Sequence, residues 1–217
     1  SLQLGTDISR FQQAGRYIYA GSKLGVLWTS PDRGQNWYSV AAPGGGIVTG
    51  LFADSASPMV ALAVLAREDH SSVLRTTNGG LFWDDITADL PAGRLLAVTA
   101  DLNSGAVYVA GENGVFVSIQ DLRAPAPPAV WTRLQGLPPA HAVDVALDSS
   151  ANRLFVALDG YGVFATLAPH RIAVPVLVSA ADLSARPLAP GALLSFLGPP
   201  LDLVTASGIE LPILAQS

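Results

Sequence analysis

The stretch Gly15-Arg16-Tyr17-Ile18-Tyr19-Ala20-Gly21 returns as Gly105-Ala106-Val107-Tyr108-Val109-Ala110-Gly111. It returns more loosely as Asn152-Arg153-Leu154-Phe155-Val156-Ala157-Leu158, and Met59-Val60-Ala61-Leu62-Ala63-Val64 holds the same place in between. Each is a short apolar run of strand character. A second β-prone run follows each copy, at residues 25–30, 72–76, 114–118 and 162–166. Another precedes the last three copies and ends in Asp54, Asp101 or Asp148, which are spaced 47 residues apart. The period is therefore close to 47, with about four units between Ile8 and Thr166.

Several strands repeated at that period are the mark of propeller blades. One small sheet cannot bury both of its faces, whereas blades stacked around an axis can. A β-sandwich has no reason to repeat at this interval, and a solenoid usually repeats at a shorter one. The expected fold is all-β: a β-propeller-like array of about four blades over residues 1–171, with an apolar β-rich C-terminal appendage over residues 172–217.

Within the repeat, Ser30-Pro31-Asp32-Arg33-Gly34-Gln35-Asn36-Trp37 is followed one period later by Thr76-Thr77-Asn78-Gly79-Gly80-Leu81-Phe82-Trp83. Both have the form [S/T]-x-[D/N]-x-G-x-x-W. Asp32 or Asn78 can accept from free main-chain N–H groups in a turn, Gly34 and Gly80 tolerate positive φ, and Trp37 and Trp83 return the chain to an apolar layer. The pattern resembles the Asp-box, or BNR repeat, of sialidases, sortilin-like receptors, xyloglucan-cleaving hydrolases and photosystem II assembly factors. The resemblance implies a structural role for Ser30, Asp32, Gly34, Trp37, Thr76, Asn78, Gly80 and Trp83, at outer hairpins joining the last two strands of a blade. A third copy is eroded: Ser118-Ile119-Gln120-Asp121 begins it, a proline-rich insert follows, and Trp131 closes it. A fourth copy is missing after Thr166.

The repeat stops near Ile172. The run from Val178 to Gly198 resembles the start of a C-terminal domain of unknown function carried by secreted acidobacterial proteins, with Ser179 in place of the usual Asn. Its uncharged runs, at residues 174–178 and 193–197, are expected to pair beyond their own segment, on the blades or on another subunit.

Charged residues make up only 13% of the chain and the net charge is −5, which argues against nucleic-acid binding. Cysteine is absent, so disulfides and thiolate metal sites are excluded. Lys23 is the only lysine. The chain opens at Ser1 and is read as a mature or excised segment.

The sialidase resemblance would imply an arginine triad and a Tyr–Glu nucleophile pair. Glu68, Glu112 and Glu210 are the only glutamates, and none lies in such a motif. A xyloglucanase-like site would need two carboxylates across a cleft. Asp84, Asp85 and Asp89 cluster, but they are read as a solvated outer edge. Asp54, Asp101 and Asp148 could ring a pore, but each is read as starting its own turn. Glu68-Asp69-His70 is placed at a hairpin tip in the second blade. No catalytic residue, cofactor site or metal site is expected.

The expected function is that of a non-catalytic extracellular or periplasmic scaffold or binding module acting through protein or glycan contacts, with possible homo-oligomerisation through the C-terminal segment and no membrane span. The alternatives are a structural subunit of a cell-surface assembly and a fragment of a carbohydrate-active enzyme with catalytic residues elsewhere.

Overall fold

The computed structural model describes residues 7–68, 70–125, 129–148, 150–173, 176–181, 193–197, 204–206 and 209–211. The first sheet contains β1 (Ile8–Ala14), β2 (Tyr17–Ser22), β3 (Val26–Ser30) and β4 (Tyr38–Ala41). The second contains β5 (Ile47–Ala53), β6 (Ala61–Ala66), β7 (Ser71–Thr76) and β8 (Asp84–Asp85). The third contains β9 (Leu95–Asp101), β10 (Ala106–Gly111), β11 (Gly114–Ile119) and β12 (Thr132–Arg133). The fourth has three described strands, β13 (Ala142–Leu147), β14 (Arg153–Leu158) and β15 (Gly162–Leu167). Each sheet is an antiparallel meander in chain order.

The first strands of consecutive sheets lie side by side, β1 with β5, β5 with β9 and β9 with β13. Side chains stitch these inner strands to the next main chain: Ser9 Oγ donates to Val48 O at 2.7 Å, and Thr49 Oγ1 donates to Leu95 O at 2.9 Å. The molecule is thus a radial, propeller-like array of blades.

A middle strand in such an array is covered on both faces, which explains the unbroken apolar run of β6, Ala-Leu-Ala-Val-Leu-Ala, every residue of which is buried. Ala61, Ala63 and Leu65 pack with Tyr19 and Leu27 of the first blade. Leu62 and Val64, on the other face, pack with Val107 and Val109 of the third. Tyr108 joins Leu154 and Val156 in the next layer.

The registers correct one sequence-based equivalence. Tyr17 lies opposite Ala14 and Ala106 opposite Asp101, so Tyr19 matches Tyr108. Aligning Gly15 with Gly105 is off by one residue, because Gly15 begins a two-residue turn whereas Gly105 ends a four-residue turn. In a strand, a slip of one exchanges the two faces.

After β15 comes one short helical turn, α1 (His170–Ala173), then two separate hairpins: β16 (Val176–Ser179) with β17 (Leu194–Leu197), and β18 (Val204–Ala206) with β19 (Ile209–Leu211). The two apolar runs expected to pair outside the segment therefore pair with each other, Val176 opposite Leu197 and Ser179 opposite Leu194. Most of the stretch that carries the tail resemblance, residues 182–192 and Gly198, lies outside the described residues.

Candidate functional site

The two [S/T]-x-[D/N]-x-G-x-x-W turns join β3 to β4 and β7 to β8, at the outer edge of the first two blades. Their hydrogen bonds match atom for atom. Gly34 N donates to Ser30 Oγ at 2.7 Å, and Gly80 N to Thr76 Oγ1 at 2.9 Å. The same hydroxyls donate to Asp32 Oδ1 at 2.9 Å and Asn78 Oδ1 at 3.0 Å. Those acceptors also receive Asn36 N at 2.8 Å and Phe82 N at 3.0 Å. Each hydroxyl thus relays between a turn N–H and the Asx side chain. The Asn36 main-chain N–H, and then its side-chain amide, hold the Asp32 carboxyl below the usual carboxylate range.

The two tryptophans differ, although both were expected in an apolar layer. Trp83 is 2% exposed and meets Tyr19 of the preceding blade edge-on, with ring centroids 6.2 Å apart. Trp37 is only half-buried and bonds back to its own turn, Nε1 donating to Gly34 O at 3.0 Å. The reason is position in the array: a box tryptophan packs on the blade before it, and among the described residues no blade precedes the first. The second turn is also clamped to the first blade by the Tyr38 hydroxyl, which donates to Gly79 O. At Gly80 (φ 89°) a Cβ would stand 2.1 Å from Thr29 Oγ1, so glycine there serves both the turn and the close approach of two blades.

In the eroded third copy Ser118 Oγ is buried without a hydrogen-bond partner among the described residues. A different device holds that region. Buried Arg75 donates through Nε to Asp84 Oδ2 at 2.9 Å, and its NH2 group pairs with the same oxygen. Arg75 NH1 reaches the carbonyls of Leu122 (3.0 Å) and Ala124 (2.8 Å) in the third blade. The expectation of a solvated acidic edge therefore fails at Asp84. Asp85 accepts from Thr87 N at 2.8 Å, and Asp89 from Trp131 N at 2.9 Å. The three carboxylates serve three separate contacts.

Over the Arg75–Asp84 pair lies a cleft of about 560 Å³ bounded by Phe82, Ile86, Arg123 and Pro125. Its volume is in the range of small-ligand sites. Phe82 is 63% exposed and the adjacent Leu81 65% exposed, where the first turn carries Gln35 and Asn36. The shared turn geometry does not require apolar side chains at these positions. A second cleft of similar size is lined by Glu112, Phe116, Arg133 and His141.

The strand-ending aspartates serve their own turns. Asp54 Oδ1 accepts from Ala56 N at 3.0 Å, and Asp148 Oδ1 from Asn152 N at 2.7 Å. Asp101 Oδ1 accepts from Asn103 N at 3.1 Å, and its Oδ2 from Ser104 Oγ at 2.7 Å. Asp101 goes further than the other two: its Oδ2 lies 3.4 Å from His170 Nε2 and 3.6 Å from Arg171 NH2. Burial alone would raise its pKa. The side-chain contacts with His170 and Ser104, the Asn103 N–H and the Arg171 charge reverse that and hold it well below the usual range. Burial pushes the neighbouring Tyr108 phenol up to about 12. This Tyr108–His170–Asp101–Arg171 cluster was not anticipated from sequence. His70 does sit at the expected hairpin tip, its Nε2 2.6 Å from Arg67 NH1. Among the described residues, no group of three or more metal-ligating side chains is poised for an ion, and no helix is long and apolar enough to cross a membrane.

Radially arranged four-stranded meanders, with inner strands side by side and turns at the rim, define an all-β, propeller-like protein. Solved propeller structures agree. The chain is similar to the GH74 enzyme of Niastella koreensis (TM-score 0.58, 16% identity, covering 74% of this chain and 28% of that one). It is similar to YCF48 bound to a D1 peptide (TM-score 0.57, 17% identity, covering 77% and 54%). It is also similar to the Pan2 WD40 domain of Neurospora crassa (TM-score 0.51, 13% identity, covering 77% and 52%). At these identities the likeness shows the fold alone, and the chain spans roughly half or less of each neighbour's length. No protein-family model matches the chain, and no curated protein does either.

Proposed function

We propose that this chain is a non-catalytic binding or scaffold module of the Asp-box propeller type, working outside the cytoplasm through protein or glycan contacts. The observation that carries this reading is the exposed Leu81–Phe82 pair beside the cleft over Arg75 and Asp84. The turn's hydrogen bonds run through the main chain and through Thr76 and Asn78, so the two apolar side chains at its tip serve no bond of the fold. Two adjacent exposed apolar side chains, one of them lining a cleft, favour a contact surface. The matched hydroxyl–Asx relay in both turns supports the Asp-box assignment. The carboxylates considered for glycosidase chemistry are engaged in separate structural contacts, which supports a non-catalytic role.

The test is to screen the chain on immobilised oligosaccharides, including xyloglucan fragments, and on a peptide array, alongside Leu81→Ser and Phe82→Ala. Binding lost in both variants at unchanged melting temperature supports the reading. Hydrolysis of xyloglucan that a single carboxylate substitution abolishes would overturn it.

A second reading, a subunit of a larger assembly, draws on the fourth blade. There β15 has no fourth-strand partner among the described residues, and its Val163 is 70% exposed. Such an edge is a template for pairing with another chain. Particle mass in solution distinguishes the two: a stable monomer at all concentrations removes the assembly reading and leaves the binding reading intact.

A further inference from the structure

We propose that His170 and Arg171 form a latch that docks the chain leaving the fourth blade into a polar socket on the third, and that acid opens this latch before the blades unfold. The socket is built by Asp101 at the end of β9, Ser104 in the following turn and Tyr108 on β10. His170 is fully buried in it. Tyr108 holds His170 at two points: its oxygen accepts from the His170 main-chain N–H at 3.0 Å and lies 2.8 Å from Nδ1. With one lone pair occupied by the main-chain N–H, the phenol hydrogen is free to donate to Nδ1. The ring hydrogen then sits on Nε2, which lies 3.4 Å from Asp101 Oδ2 without a well-aligned hydrogen bond to it. Arg171 completes the closure. Its NH2 group donates to Ser150 O at 3.0 Å and its Nε to Ala151 O at 3.2 Å, on the turn between β13 and β14.

The titratable and charged groups that meet here are Asp101 from β9, Tyr108 from β10, and His170 and Arg171 from α1. Asp148, on the β13–β14 turn, is occupied with the N–H groups of Asn152 and Arg153. Among the described residues, Asp101 is the one anion facing both His170 and Arg171. Protonating it leaves a buried guanidinium without its countercharge. The apolar seam between the third and fourth blades, built from Tyr108, Val115, Val145, Leu154 and Val156, does not depend on that charge. The latch and the blades therefore differ in acid sensitivity. The sign follows from the lowered carboxyl: the latch is at full strength above the ordinary carboxylate range and weakens as pH falls below it.

The experiment uses the full chain, with Asp101→Asn and Tyr108→Phe. Trypsin at neutral pH cuts after Arg171 only when its guanidinium leaves the seam. The expectation is cleavage at this bond at least tenfold faster in Asp101→Asn than in wild type, with residues 1–171 surviving as a resistant fragment. Tyr108→Phe, which keeps the ring and loses both contacts of the hydroxyl, should be intermediate. Hydrogen exchange of the wild type, corrected for intrinsic rates, should show protection at residues 168–173 falling between pH 7 and pH 3 while β10 stays protected. Asp101→Asn should be unprotected there at both. Equal resistance of Asp101→Asn and wild type would overturn the latch. So would loss of the blades together with residues 168–173, in the variant or in acid, since the cluster would then be ordinary core.

Discussion

Tyr108 and His170 repeat, across the third and fourth blades, the relationship of Tyr19 and Trp83 across the first and second. The ring centroids are 5.8 Å apart in the one pair and 6.2 Å in the other. In both, a tyrosine on the second strand of one blade meets a ring that follows the third strand of the next. Tyr19 turns its hydroxyl to Pro58 O at 2.7 Å, whereas Tyr108 gives its own to His170. The imidazole thus fills the place of the box tryptophan in the blade that lacks the box, and it exchanges an apolar contact for a polar, charge-linked one.

That exchange makes stability depend on pH. The Asp101 carboxyl is held low in the folded chain, so its contribution is complete above about pH 4, the ordinary carboxylate range, and is lost as pH falls below it. Asp101→Asn should destabilise by about 2–4 kcal/mol at pH 7, as removal of one partner from a buried ionic network does. The variant should also lose part of the acid slope. Urea midpoints from pH 7 to pH 3 check both: parallel curves for variant and wild type would show that Asp101 does not carry the acid sensitivity.

The two box tryptophans should not be equivalent. Trp83→Ala removes a fully buried ring from the seam between the first two blades and should cost about 3–5 kcal/mol. Trp37 is only half-buried and bonds back to its own turn, so Trp37→Ala should cost about 1–2 kcal/mol. Equal denaturation midpoints for the two variants would contradict the difference in burial.

The sequence repeat made the array legible because each blade reuses the same hydrogen-bonding turn and the same alternation of faces. It aligned the wrong residues at one place. Gly15 and Gly105 look equivalent as letters, but one opens a turn and the other closes one, so Tyr108 was matched with Ile18 instead of Tyr19. The latch stayed hidden for a related reason. Trp83 follows Thr76 by seven residues, whereas His170 follows Thr166 by four. A motif search finds nothing there, although the ring arrives at the same place. The Arg75–Asp84 pair was missed because a charge cluster at a blade edge has the same composition whether it is solvated or bridging, and only the third blade's main chain decides which.

The fourth position of the motif provides a backbone test. Arg33 has φ 60°, and its counterpart Gly79 has φ 72°. A β-carbon is strained in this region, so exposed Arg33→Gly should stabilise by about 0.5–1 kcal/mol despite the greater freedom it gives the unfolded chain. Gly80→Ala should do the opposite, by about 2 kcal/mol or more, because the strain is joined by a clash with Thr29. Calorimetry on the two variants checks the opposite signs. A lower melting temperature for Arg33→Gly would show that its side chain contributes more than its backbone loses.

Arg75 is the last case, and its partners predict an asymmetry. Its guanidinium serves a carboxylate of its own blade and two carbonyls of the next. In Arg75→Met, Leu122 O and Ala124 O lose their donor, while Asp84, a third exposed, recovers water. In Asp84→Asn the arginine keeps both carbonyls and one oxygen acceptor on the new amide. The arginine substitution should therefore cost about 3 kcal/mol and the aspartate substitution about 1 kcal/mol. The double variant should fall well short of their sum, since the groups share one network. Losing Arg75 should also free the segment around Arg123, so trypsin should cut there faster in Arg75→Met than in Asp84→Asn. Equal losses from the two single variants, with Arg123 equally protected in both, would show that the pair stabilises its own blade and does not tie the second blade to the third.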